Sequence, residues 1–235
     1  MILKDFLFGL CNTILKSNIE FDENIPLSYL IIEIFDRCIM LLRGEFKKLF
    51  MRKAKGILFC GKKTKIRAAA NVSMGSRVTI KNNVYIDALS VEGIEIGDGV
   101  SIGDNTRIQC TGTIQSIGKG LKIGSGSGIG NDCFFGAAGG IVIGENVIMG
   151  QNVRFHSENH NFDEIDVLIK NQGVSHKGIF VGNNCWIGAG TVFLDGSSIG
   201  NGCVVGANTL INKQYPDNAV VLGCPGKIVR FRGNR

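Results

Sequence analysis

The residues best suited to chemistry lie in one stretch. Phe155-His-Ser-Glu-Asn-His-Asn-Phe-Asp carries His156 and His160, and His176 follows; these are the only three histidines of the 235-residue chain. Imidazole titrates near neutral pH, so a histidine beside a bound hydroxyl is a natural general base. A base histidine also needs an acceptor on its other ring nitrogen to hold its orientation. Glu158, Asp163, Glu164 or a backbone carbonyl could serve, and the sequence does not choose among them. His176 reads as a surface-loop residue. A little further on, Asn184-Cys-Trp-Ile-Gly-Ala holds the only tryptophan, Trp186.

What must position these side chains is legible in the residues that follow. From Val181 to Ile211 every sixth residue is apolar: Val181, Ile187, Phe193, Ile199, Val205 and Ile211. The second residue of these sixes is mostly Gly, and the fifth is small: Cys185, Thr191, Ser197, Cys203, Thr209. Neither an α-helix nor a plain strand has a period of six. A hexapeptide period is the signature of a β-helix, with the first residue inward, the small fifth residue in a crowded interior, and Gly or Asn at the corners, where φ > 0 is needed. The same register gives Met74, Ile80, Ile86, Ile96, Ile102, Ile108, Ile117, Ile123, Ile129, Phe135, Ile143, Met149 and Phe155, with slips that read as corner insertions. The widest gap, from Phe155 to Val181, predicts a loop over about 156–180 thrown out of the solenoid, and such loops tend to carry function.

Ahead of the solenoid, residues 1–17 space their apolar side chains as an amphipathic helix. Pro26 is placed to open a second helix with Leu27, Leu30, Ile31, Ile34, Phe35, Cys38, Leu41 and Leu42 as its apolar positions. Charges at Glu33, Asp36 and Arg37 interrupt that run, so neither helix is expected to span a bilayer. The segment from Arg43 to Arg67 is basic, with Glu45 as its one acid, and suits a surface anchor on anionic lipid as well as a solvated positive face. The expected organisation is therefore an α-helical extension with a basic segment over 1–65 and a β-helix over 66–235. The net charge of +6 admits anionic surfaces or a phosphate-rich co-substrate. Basic residues are not interleaved with aromatics, which disfavours nucleic acid. The eight cysteines form no C-x-x-C and read as small buried hydrophobes of a reducing compartment. Lys4 and Asp5 break the first apolar run, so no signal peptide is expected.

The hexapeptides, the histidine-bearing loop, Asn184-Cys-Trp-Ile-Gly-Ala, Ala207-Asn-Thr-Leu-Ile-Asn-Lys and Gly223-Cys-Pro-Gly-Lys resemble the left-handed β-helix acyltransferases. Within them the chain is most similar to the maltose/galactoside, xenobiotic and bacterial polysaccharide O-acetyltransferases. The resemblance covers roughly residues 70–233. It alone supplies the left hand, since the general chirality rule favours right-handed parallel crossovers. It implies a homotrimer, acetyl-CoA as co-substrate with no metal required, and direct attack by an acceptor hydroxyl. His160 matches the family's catalytic-histidine motif better than His156 does, and so becomes the expected base. The amide of Ala189 is the implied oxyanion donor. The family's pantetheine groove maps onto Trp186, Gly188, Ala189 and Ala207. Lys213, Lys227 and Arg230 are candidates for the CoA phosphates. Asn131, His156 and Glu158 are candidate acceptor contacts.

The leading expectation is acetyl transfer to a sugar hydroxyl of a bacterial surface polysaccharide or its precursor. The expected location is cytoplasmic, with residues 1–65 available for peripheral contact with the inner face of the membrane. Small-molecule or xenobiotic O-acetylation would use the same site. A γ-type carbonic anhydrase would need the three histidines as metal ligands. A non-catalytic scaffold would leave the histidine loop without a task.

Overall fold

The computed structural model describes residues 9, 22 and 24–233. The helix expected over 1–17 lies outside the described residues but for Gly9. The remainder is a left-handed parallel β-helix with one helix at its N-terminal end. Three sheets of short parallel strands form its faces. The first runs from Lys53–Ala54 to Gln214–Tyr215, the second from Leu58–Cys60 to Ala219–Leu222, and the third from Lys65–Arg67 to Leu210–Ile211. The parallel sheets thus begin inside the basic segment. Strand Lys227–Phe231 turns back antiparallel on Ala219–Leu222 and closes the second sheet.

Each position of the hexapeptide has a physical task. First residues point inward and are buried; Phe135, Phe155 and Phe193 stack along the third sheet with ring centroids 4.8 and 4.7 Å apart. Ile117 is the exception. It is half exposed, because a turn bridged between Thr113 and Ser116 carries it out of the coil. The second-position glycines serve close approach rather than φ: a Cβ on Gly188 would stand 2.5 Å from the amide nitrogen of Ala207 in the next coil. Left-handed φ belongs to the fourth position, as at Asn184 (54°), Gly190 (71°) and Asn208 (55°). Fifth-position side chains are small, and most are hydrogen-bonded, Ser197 Oγ being buried without a partner. Thr191 Oγ1 donates to the Gly206 carbonyl at 3.2 Å, and Cys185 Sγ to the Gly200 carbonyl at 3.1 Å. Burial pushes the Cys133 thiol up to about 11, in keeping with an inert interior group.

Coil lengths locate the excursion. Asn183 and Asn201, equivalent corner residues of adjacent coils, are 18 apart, whereas Glu145 and Asn183 are 38 apart. The intervening coil therefore carries 20 extra residues (38 less 18), thrown out after Phe155. Helix α1, Leu27–Lys48, opens after Pro26 and lies across the first coil. A Cβ on its Gly44 would collide with the Leu58 carbonyl oxygen, so glycine there is what lets the helix seat.

Candidate active site

The coil order fixes where the chemistry-bearing residues stand. Strand Arg154–His156 of the third sheet leads into the loop, which leaves at the corner between the third and first sheets. The loop folds a small antiparallel ribbon in which Asn159 pairs with Ser175 and His160 with Val174. On that ribbon His160 is exposed, as is Asn159.

His156 sits differently. It ends a strand, half buried, with its ring centroid 5.4 Å from that of Phe134. Together with Gln109, Thr111 and Glu158 they line a cleft of about 300 Å³. Burial, and secondarily the Arg154 guanidinium, holds the His156 imidazole below its ordinary value and so favours the neutral form. His176 is an exposed loop residue and reaches Glu158, with Nε2 and Oε2 2.7 Å apart. Glu158 thus meets His176 rather than either of the competing histidines. Nothing in the sequence spacing signalled this pair, because closure of the ribbon creates it. Among the described residues no group of three His, Cys, Asp or Glu side chains is placed to hold a metal ion.

A second set of residues gathers at the corner between the second and third sheets. Along the other corner of the second sheet, third-position side chains cap the amide of the preceding coil. Asn183 N–H donates to Asn201 Oδ1 at 2.9 Å, and Asn201 N–H to Asp217 Oδ1 at 2.7 Å. The second-to-third corner starts the same way: Lys62 N–H donates to Asn82 Oδ1, Asn82 N–H to Asp104 Oδ1, and Asp104 N–H to Asn131 Oδ1. There the ladder stops. The next third-position residues are Gln151, Ala189 and Ala207, and the alanines have no side-chain acceptor to offer. Among the described residues the N–H groups of Asn131, Gln151, Ala189 and Ala207 find no acceptor. Asn131, expected near the acceptor, is a corner cap on the far side of the third sheet from the loop. Gly188 donates its N–H to Val205 and accepts Thr191 Oγ1 on its carbonyl, so its own polar groups are engaged.

Trp186 stands beside these open amides. It lies in the outward second-sheet file Ile148, Trp186, Val204, Val220, Arg230 and is 57% exposed. Arg230 lies three strands on, about 14 Å at ~4.8 Å per step. Lys227 pairs with Leu222, whose side chain borders Gly206, so the closing hairpin brings Lys227 next to the Ala207 corner. Lys213 falls elsewhere, at the third-to-first corner, with its ammonium 5.6 Å from the Tyr215 ring centroid. One chain therefore brings together Trp186, Ala189, Ala207, Lys227 and Arg230, and separately His156, Glu158, His160 and His176. The width of the third sheet lies between the two sets.

Comparison with known proteins gives the same reading of the coils. The family described as bacterial transferase hexapeptide (six repeats) matches residues 178–213. The chain carries the hexapeptide transferase repeat. Galactoside O-acetyltransferase of Escherichia coli K12 is 34% identical over 95 residues, which is 40% of this chain and 46% of that protein. Galactoside O-acetyltransferase of Lactococcus lactis is 30% identical over 91 residues, 38% of this chain and 42% of the relative. The chain thus spans less than half the length of the curated relatives it matches. Among solved structures, the hexapeptide coils superpose on AntD, an N-acyltransferase from Bacillus cereus in complex with dTDP and 3-hydroxybutyryl-CoA. The TM-score is 0.53 at 17% identity, over 81% of this chain and 88% of that one. At that identity the likeness is one of fold.

Proposed function

We propose that the chain is an acetyl-CoA-dependent O-acetyltransferase, acting as a homotrimer on a sugar hydroxyl of a bacterial surface polysaccharide or its precursor. The observation that carries this is the pair of uncapped amides, Ala189 and Ala207, in adjacent coils beside exposed Trp186. A repeat that caps this position elsewhere leaves it open here, where a peptide-like pantetheine arm needs backbone partners. Lys227 and Arg230 at the closing hairpin suit the phosphates of the same molecule. Galactoside O-acetyltransferase relatives support the acceptor class.

In this reading His160 takes the proton of the acceptor hydroxyl as that oxygen bonds to the acetyl carbon. The Ala189 N–H faces the oxygen that becomes negative. The C–S bond then breaks, and the proton passes from His160 to the departing thiolate, so no charge is left on the chain. Because His160 and Ala189 stand at different corners, the histidine ribbon of one copy meets the open corner of the next, which gives the trimer a catalytic purpose. The test is thiol release from acetyl-CoA with a panel of sugars, lipid-linked oligosaccharides and amino-sugar nucleotides, wild type against His160→Ala. Hydroxyl-dependent release that collapses in the variant while CoA binding persists is expected. Release with amino acceptors alone, or full activity in the variant, would overturn the assignment.

A further inference from the structure

Helix α1 has two apolar faces, and the fold uses one. Leu30, Ile34, Leu41 and Gly44 face the first coil, with Leu30 and Gly44 buried. Arg37 on the same side bonds Thr79 Oγ1 at 3.4 Å and lies over the Phe59 ring. The opposite face carries Ile31, Phe35, Leu42, Phe46 and Leu49, spaced four, seven, four and three residues apart. Phe35, Leu42 and Phe46 are 64, 72 and 64% exposed. At about 100° per residue every helical position within roughly 60° of Phe35 is uncharged, over some five turns. An apolar stripe this long is not ordinary surface scatter.

The charges at its C-terminal end are mostly basic. Arg43 and Lys47 flank the stripe, and the chain leaves it through Phe50 into Lys53 and Lys55, with Arg52 ahead of them engaged by Glu95 at 3.8 Å. Of the acids on the helix, Glu45 is engaged by Lys48 at 2.8 Å, and Glu33 and Asp36 lie toward its N-terminal half, away from this cluster. We propose that this face of α1, with its basic C-terminal end, docks in the interface of an anionic lipid bilayer. A second copy in a parallel two-fold contact would set the two basic ends against each other; one in an antiparallel contact would meet Glu33 and Asp36, and is the alternative that the mass measurement detects. An anionic surface complements both the apolar stripe and the cations. No described helix is long and apolar enough to cross a membrane, so α1 lies along it. The first coil would then sit against the bilayer with the rest of the β-helix beyond it. This does not depend on the acetyl-transfer reading.

The experiment is co-sedimentation of the full chain with vesicles of phosphatidylcholine alone or with about 30% phosphatidylglycerol, alongside mass measurement by light scattering. Two variants accompany it: Phe35→Ser/Leu42→Ser/Phe46→Ser, and Arg43→Glu/Lys53→Glu/Lys55→Glu. All six positions are exposed, so melting temperatures should match wild type. Binding to the anionic vesicles, weakened by salt and lowered about tenfold or more by either variant, is expected. Failure of wild type to sediment, or sedimentation untouched by the serine substitutions, would overturn the proposal. So would a larger assembly in solution that those substitutions break up.

Discussion

At the residue scale, the decisive feature is what Ala189 and Ala207 lack. Asn201 shows what a carboxamide at the third position does: it accepts the amide of the coil before it, at 2.9 Å. Ala207→Asn should therefore place an oxygen on the Ala189 N–H. The expected outcome is an unchanged or slightly raised melting temperature, since a hydrogen bond adds about 1 kcal/mol at most. Acetyl transfer should fall by about 10²–10³-fold, as for loss of an oxyanion donor. Calorimetry and steady-state kinetics read the two effects separately. The alternation of Asn183 and Asn201 with Ala189 and Ala207 was present in the sequence. Its meaning was not, because the cap joins residues a full coil apart and shows only once the register is known. His156 gives a pH prediction. Its imidazole lies below the ordinary value of 6.5, through burial first and Arg154 second. The folded chain thus binds this proton less readily than the unfolded one. The stability linked to it is complete above the unfolded value and is lost as pH falls through that value toward the folded one. A histidine NMR titration should find the His156 midpoint below 6.5; a midpoint above it would mean that Glu158 or another anion dominates.

At the scale of elements, the loop and the coil are separable. Inward first positions, small fifth positions and the excursion after Phe155 could all be read from period alone, because each follows from packing within one coil. The antiparallel ribbon and the Glu158–His176 pair could not, since they depend on how 20 extra residues fold back on themselves. Ile117 misled for the same reason: a turn stole a residue that fitted the period. The strands flanking the loop are each held by the coil before it, Arg154–His156 by Phe134–Gly136 and Ile179–Val181 by Ile141–Ile143. Excising residues 159–175 should therefore leave a β-helix whose melting temperature shifts by only a few degrees, as for the loss of exposed loop. Acetyl transfer should disappear with His160. A collapse of the fold on excision would show that the ribbon is structural. Helix α1 was legible as a helix, but its two faces were not, because one list of apolar residues does not say which of them the first coil covers.

At the scale of the whole molecule, the histidine ribbon and the open corner of a single chain stand on different corners, and the proposed site requires that they be joined between copies. Complementation tests this most directly. His160→Ala lacks the base and Ala207→Asn lacks the open corner, and each should be inactive alone. Co-expressed at equal levels, random trimers would pair an intact histidine ribbon with an intact corner at about a quarter of their interfaces. The measurement is the rate of acetyl-CoA thiol release by the purified mixed assemblies. Recovery toward about a quarter of the wild-type rate is expected for a site shared between neighbouring copies. A mixture as inactive as its parents, with mixed assemblies verified by mass, would contradict a site built from the histidine ribbon of one copy and the open corner of the next.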